Sequence, residues 1–214
     1  VRRELPDYDT PQLFAQWQAA LAVLTEIGEL GVERAMGLST RRMIFQVLRA
    51  MGAVDALDIG TCYGTSAVNM ALAGCRVVSV DIRHVNCRVA GRPRSQKGLM
   101  KAAGVVDQVE LVIQDAREYM AAADRKFDFI SLDGGHRHQL VYEEIILAQK
   151  LLKPDGLLFL DDVQIGPQPK EFTPIHGPRL AIEQHLSEGA PLRMIHFGKT
   201  MYGEPTGVAF LVAA

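Results

Sequence analysis

Cysteine is scarce in this sequence: only Cys62, Cys75 and Cys87, an odd number with no CxxC pair. That excludes a disulfide framework. Neither charge is in excess, since 23 Lys and Arg face 25 Asp and Glu for a net charge of -2. A nucleic-acid coat is basic, so no nucleic-acid partner is expected. No apolar run approaches the ~20 residues that cross a bilayer, so no membrane partner is expected either. The opening Val1-Arg2-Arg3-Glu4-Leu5-Pro6 turns polar at once and holds no apolar signal core. Repeats and low-complexity tracts are also missing. These absences together predict a soluble, cytoplasmic chain.

What is present suffices for one core: 48% of the 214 residues are hydrophobic and 22% charged, which excludes a disordered chain. Thr10-Pro11 opens a helix as N-cap and first helical residue, and Leu13, Trp17, Leu21, Leu24 and Ile27 follow at helical spacing. A second helix follows Ser39 and ends near Gly52. From there short apolar runs (56–59, 76–80, 109–113, 127–132 and 157–160) alternate with helical stretches such as 65–73 and 139–152. Strands separated by helices imply right-handed crossovers and a parallel sheet covered on both faces. Runs 192–197 and 208–212 have no helix between them, so they form a hairpin and the last strand is antiparallel. The expected fold is α/β: a doubly wound, mostly parallel seven-stranded sheet with an antiparallel last strand. Residues 1–38 are expected to form a helical segment, packed on the domain or at the interface of a homo-oligomer; residues 39–214 form the α/β domain itself.

In such sheets ligands lie outside the carboxyl ends of the strands. The first strand runs into Asp58-Ile59-Gly60-Thr61-Cys62-Tyr63-Gly64-Thr65-Ser66. Gly60 can take a positive φ and leave room for a ligand; Gly64 opens a helix whose free N–H groups favour polar groups. The spacing is GxxxG, not the GxGxxG of dinucleotide binders, which argues against a nicotinamide enzyme. Asp58 suits a ligand with a cationic end, although an ordinary strand-to-helix turn would carry the same residues. The second strand ends in Asp81-Ile82, and an acid at that place can accept both hydroxyls of a ribose. The third is followed by Asp115-Ala116, where a carboxylate can take an adenine amino group or cap the next helix.

This ordered set resembles the cofactor motifs of class I S-adenosylmethionine-dependent methyltransferases, over roughly residues 40–214. The resemblance implies S-adenosyl-L-methionine as cofactor. It places Asp58 and Gly60 by the methionine moiety, with Thr61, Cys62, Tyr63, Gly64 and Ser66 completing the turn. Asp81 and Ile82 then lie at the ribose, Asp115 and Ala116 flank the adenine, and Asp133 borders the methyl.

The fourth strand exits into Asp133-Gly134-Gly135-His136 and the fifth into Asp161-Asp162. Three carboxylates on neighbouring strand tips repel unless protonated or bridged by a cation. A hard divalent ion, magnesium above all, would bridge Asp133, Asp161 and Asp162 and bind an acceptor hydroxyl. His136, three residues after Asp133, is the candidate base, with a structural histidine as the plain alternative. The pattern resembles metal-dependent O-methyltransferases of the catechol and caffeoyl-coenzyme-A types, with Asp162 where Asn is usual and His136 where Lys is usual. That combination is closer to antibiotic sugar O-methyltransferases and their cephamycin-pathway relatives. The Asn/Asp-Pro-Pro-Tyr/Phe motif of nucleic-acid amino-methyltransferases is missing after the fourth strand. The expected partner is therefore a small hydroxylated acceptor: a natural product, a sugar or a catechol-like molecule. Two other readings stay open: a metal-independent methyltransferase relying on His136, and a non-catalytic assembly subunit.

Two segments are candidates for substrate choice. Between residues 82 and 106 lie Arg83, Arg88, Arg92, Arg94, Lys97 and Lys101 with no acid, and Pro93 interrupts any helix. They form either a solvated helix face or a contact for an anionic partner. Residues 164–177, rich in proline, form a loop able to cap the acceptor pocket, with Phe172, His176, Arg179 and, further on, Tyr202 as contacts. Trp17 and Leu21 read as core, and Cys62 as a small apolar residue in the turn.

Overall fold

A computed structural model describes residues 4–29, 36–83, 86–89, 92–164, 176–198 and 207–213, without the side chains of 86–89, 92–94 and 197. Thr10 caps α1 (Pro11–Glu26) by accepting the Leu13 N–H, with Pro11 in the first turn. Trp17 on its buried stripe meets Phe45 of α2 (Leu38–Met51) edge-on at 5.5 Å. The second helix starts slightly earlier than Ser39, capped by Gly37, and ends where Gly52 turns left-handed at φ 63°.

Beyond α2 come β1 (Asp55–Ile59), α3 (Thr65–Leu72), β2 (Arg76–Asp81), β3 (Asn86–Val89), β4 (Arg92–Ser95) and α4 (Gln96–Ala102). Then follow β5 (Val109–Ile113), α5 (Ala116–Ala122), β6 (Phe127–Leu132), α6 (His138–Leu151) and β7 (Leu152–Val163). The chain continues through α7 (Gly177–Ser187), β8 (Leu192–Gly198) and β9 (Gly207–Ala213). The seven-stranded sheet has the order β5-β2-β1-β6-β7-β9-β8, with β9 antiparallel to both neighbours. This is the expected doubly wound fold. Alternating residues bury both faces. Phe129, Phe159 and Phe210 run side by side across β6, β7 and β9, 6.0 and 5.1 Å apart, in the core beneath α1, α2 and α3. Leu57, Ile130, Leu158 and Leu211 meet α6 and α7 on the opposite face.

Two features differ from the sequence reading. The basic segment after β2, where Pro93 was expected to break any continuous helix, holds a hairpin that was not expected: β3 and β4 pair antiparallel ahead of α4, with Pro93 opposite Arg88. The fifth predicted strand is longer, spanning the whole of β7. Its end carries a bulge: β7 advances from Leu160 to Val163 while β9 moves only from Ala209 to Gly207. The extra residue bends the strand, and Asp162 takes a left-handed φ of 53°. Among the described residues no helix is long and apolar enough to cross a membrane.

Candidate active site

The tips of β1, β2 and β5 converge as the parallel register requires, with Ile59 beside Val80 and Asp81 beside Ile113. Between them lies a cavity of about 200 Å³, lined by Gly60, Asp81, Ile82, Asp115, Ala116, Arg117, Gly134, Leu140 and Glu144 among others. Four of the residues expected at the nucleoside, Asp81, Ile82, Asp115 and Ala116, thus share one pocket with Gly60, which was expected by the methionine moiety. Ile82 is 68% exposed at its mouth, an apolar side chain with nothing packed over it.

The turn after β1 is built to aim Asp81. Cys62 adopts a left-handed φ of 44° and donates its N–H to Asp81 Oδ2 at 2.8 Å, while Arg83 N–H reaches Oδ1 at 3.3 Å. Gln96 of α4 holds the Cys62 carbonyl at 2.6 Å. Cys62 thus contributes its backbone to the turn, and its side chain is exposed. Gly60 carries φ 98°, and a Cβ there would stand 2.5 Å from the Asp133 carbonyl oxygen. Glycine is required here by the close passage of the chain leaving β6, and Gly60 also lines the cavity. Gly64, at φ 88°, caps α3.

Asp58 lies beneath the turn, fully buried. Its Oδ2 accepts from Ser79 Oγ at 2.6 Å and Ser66 Oγ at 2.9 Å, and Thr61 Oγ1 extends the chain to Ser79 at 2.7 Å. Burial pushes its carboxyl up to about 7, against those hydroxyls, and Oδ1 has no partner. Asp115 is the N-cap of α5, and both its oxygens are held by Arg117, which keeps the carboxyl below its usual range. Tyr63 is half-buried in the turn, packed against the core.

At the adjoining tips of β6 and β7, Asp133, His136 and Asp162 present ligand atoms that all lie within 4.8 Å of one another. The β7 bulge swings Asp162 into this group, and Asp161, expected there as well, stands outside it. His136 Nε2 is 3.1 Å from Asp162 Oδ2 and 3.8 Å from Asp133 Oδ1. These are ion-pair distances without a well-directed hydrogen bond, and Nε2 is otherwise unsatisfied. Asp133 first, then Asp162, push the imidazole up to about 10 despite burial. Burial chiefly raises Asp133, with His136 opposing. Gly177 of α7 abuts the His136 carbonyl, so this loop is wedged from behind.

Of the expected substrate contacts, Phe172 and Tyr202 lie outside the described residues. His176 is buried at the start of α7, and Arg179 pairs with Glu183 at 2.8 Å on the same helix. Lys97 and Lys101 lie on the exposed side of α4 as a solvated face, and Arg83 is exposed too. Sequence reasoning missed Glu144 and Arg117. An Arg two residues past the Asp115 cap is a usable signal; Glu144 looks like any acid on an amphipathic helix.

Residues 57–163 match the family model described as a methyltransferase domain. The chain belongs to this family of class I, S-adenosylmethionine-dependent methyltransferases. No curated protein matches it. Among solved structures, it is similar to the O-methyltransferase TomG of Streptomyces achromogenes, involved in tomaymycin synthesis and bound to SAM: 19% identity, 93% of this chain and 89% of that one, TM-score 0.67. It also resembles an O-methyltransferase from Bacillus cereus in complex with SAH, at 18% identity, 96% and 92% coverage and TM-score 0.64. A third likeness is the SAH-bound Podospora anserina methyltransferase PaMTH1, at 17% identity, 94% and 88% coverage and TM-score 0.63.

Proposed function

We propose that this methyltransferase acts on a hydroxyl of a small molecule and is assisted by a divalent cation, magnesium by the hardness of its donors. The observation that carries this reading is the Asp133–His136–Asp162 group, set beside the cavity that fits the nucleoside. Bound S-adenosyl-L-methionine would supply an activated methyl on sulfur. Asp81 offers each ribose hydroxyl an oxygen already fixed by a backbone N–H. The residues fit a cation as well: two carboxylates of like charge face one another across the His136 imidazole. A cation held by Asp133 and Asp162 would lower the pKa of a bound hydroxyl. With its carboxylates engaged in that way, His136 would lose the partners that retain its proton and, once it had released that proton, could accept one from the acceptor. By holding the cation, Asp133 and Asp162 would also bring the hydroxyl to the methyl, and positioning of that kind is most of the catalysis such a transfer needs.

The test is methyl transfer from S-adenosyl-L-methionine to a panel of catechol, sugar and polyketide hydroxyls, with EDTA and with magnesium restored. Activity lost to EDTA, recovered with magnesium and abolished in Asp162→Ala supports the reading; undiminished turnover under stringent chelation refutes the metal. The 3.1 Å His136–Asp162 pair favours a second reading, in which the imidazolium itself balances the carboxylates and no metal takes part. EDTA-resistant activity that disappears in His136→Gln would establish it.

A further inference from the structure

We propose that Glu144, on α6, reads the adenine base of the methyl donor through its 6-amino group. The inference rests on the cofactor reading above and adds a residue that no motif points to. Four side chains with hydrogen-bonding capacity line the cavity: Asp81, Asp115, Arg117 and Glu144. Asp81 is set for the ribose. Asp115 gives one oxygen to the Arg117 N–H and Nε at 2.9 and 3.1 Å and the other to its terminal nitrogen at 2.9 Å. Arg117 is tied in turn to Glu143 at 2.9 Å. The pair is closed on itself, so the residue the motif assigns to adenine is already engaged.

Glu144 is the opposite case. It is 3% exposed, and its Oε2 has no partner. A buried, unpaired carboxyl oxygen is costly, and a native protein keeps one where something else completes it. Burial is the main influence on this group and lifts it to about 7. Asp115 and Glu143 push the same way, while Arg117 and His136 oppose. Near neutral pH the group is therefore substantially a carboxylic acid, with one donor and one acceptor side by side. Adenine presents the complement on either edge: the 6-amino donor beside a ring-nitrogen acceptor. Ala116 and Ile82 supply the apolar surface for the base, and Glu144 the polar end.

The experiment is calorimetric binding of S-adenosylhomocysteine to the full chain, alongside its analogue with unsubstituted purine in place of adenine. Wild type is expected to prefer S-adenosylhomocysteine. Glu144→Leu should weaken S-adenosylhomocysteine roughly ten- to a hundredfold, the loss of two hydrogen bonds, and abolish the preference. Glu144→Gln, which keeps a donor and an acceptor, should retain most of both. Equal wild-type affinity for the two ligands overturns the proposal, and so does a Glu144→Leu protein that binds S-adenosylhomocysteine as wild type does. A rise in Tm with unchanged affinity would show the carboxyl to be a structural defect only. Failure of wild type to bind S-adenosylhomocysteine at all would instead bring down the cofactor reading beneath it.

Discussion

Replacing Gly60 with alanine tests the seam between the cofactor turn and the acidic cluster. Two costs add. The φ of 98° is a region that side chains rarely adopt, worth about 1–3 kcal/mol. The new methyl would also stand 2.5 Å from the Asp133 oxygen, 2.6 Å from its carbon and 2.7 Å from Gly134 Cα. All three are backbone atoms that cannot rotate aside, and overpacking of that kind costs about 1–3 kcal/mol more. The sum of about 2–6 kcal/mol lowers Tm by about 4–24 °C in a chain of this size, at roughly 2–4 °C per kcal/mol. Gly52→Ala is the control: φ is 63° and nothing lies within 4 Å, so only a strain of about 1–2 kcal/mol applies. Thermal unfolding of both variants, with S-adenosylhomocysteine binding and methyl transfer, separates strain from collision. Gly60→Ala should be the less stable and should lose transfer as Asp133 is pushed away. Equal Tm values with activity retained would refute the collision.

Three further expectations follow from other sites. The Asp58 carboxyl is raised from 3.8 to about 7, so the folded state holds its proton more tightly. Its contribution is full below the unfolded value and is lost as pH rises through the folded one, up to ~4 kcal/mol over about three pH units. Asp58→Asn should therefore gain stability over wild type between about pH 4 and pH 7 in urea unfolding; parallel pH profiles would contradict this. Arg41 and Glu29 form a buried ion pair, and Glu29→Gln should cost about 3–5 kcal/mol by stranding the guanidinium, with Glu29→Leu/Arg41→Met recovering most of it by the same assay. Gly177→Ala would drive a methyl into the His136 carbonyl. It should lower kcat while S-adenosylhomocysteine affinity stays near wild type; an equal fall in both would show the loop to be no separate element.

The sheet was legible because its strands carry short apolar runs, several of them, as in β1, β2 and β6, ended by a glycine or an acid. The runs 109–113 and 127–132 coincide with β5 and β6, and the hairpin 192–212 with β8 and β9. The hairpin β3–β4 was not legible, because Arg88, Arg92, Pro93 and Arg94 carry no apolar alternation to mark a strand. Asp81 and Asp115 could be placed at one cavity because position along a parallel sheet fixes where a strand tip lies. The division of labour between Asp161 and Asp162 could not be found: it depends on one extra residue in β7 relative to β9, a register set by distant pairing. Glu144 escaped for a similar reason. Its burial comes from α6 packing over the pocket, and a lone acid on a helix reads as solvent-facing.

The bulge carries an implication for the order in which the molecule becomes competent. The nucleoside cradle is complete once β1, β2, β5 and β6 are paired and α6 has packed beside them, and its acids, Asp81, Asp115 and Glu144, all precede β7. The angle of Asp162 is instead fixed where Val163 meets Gly207 on β9. Damage to the final strand would therefore leave a protein that still captures its donor yet cannot discharge it, a failure that ligand-binding assays alone would pass as healthy.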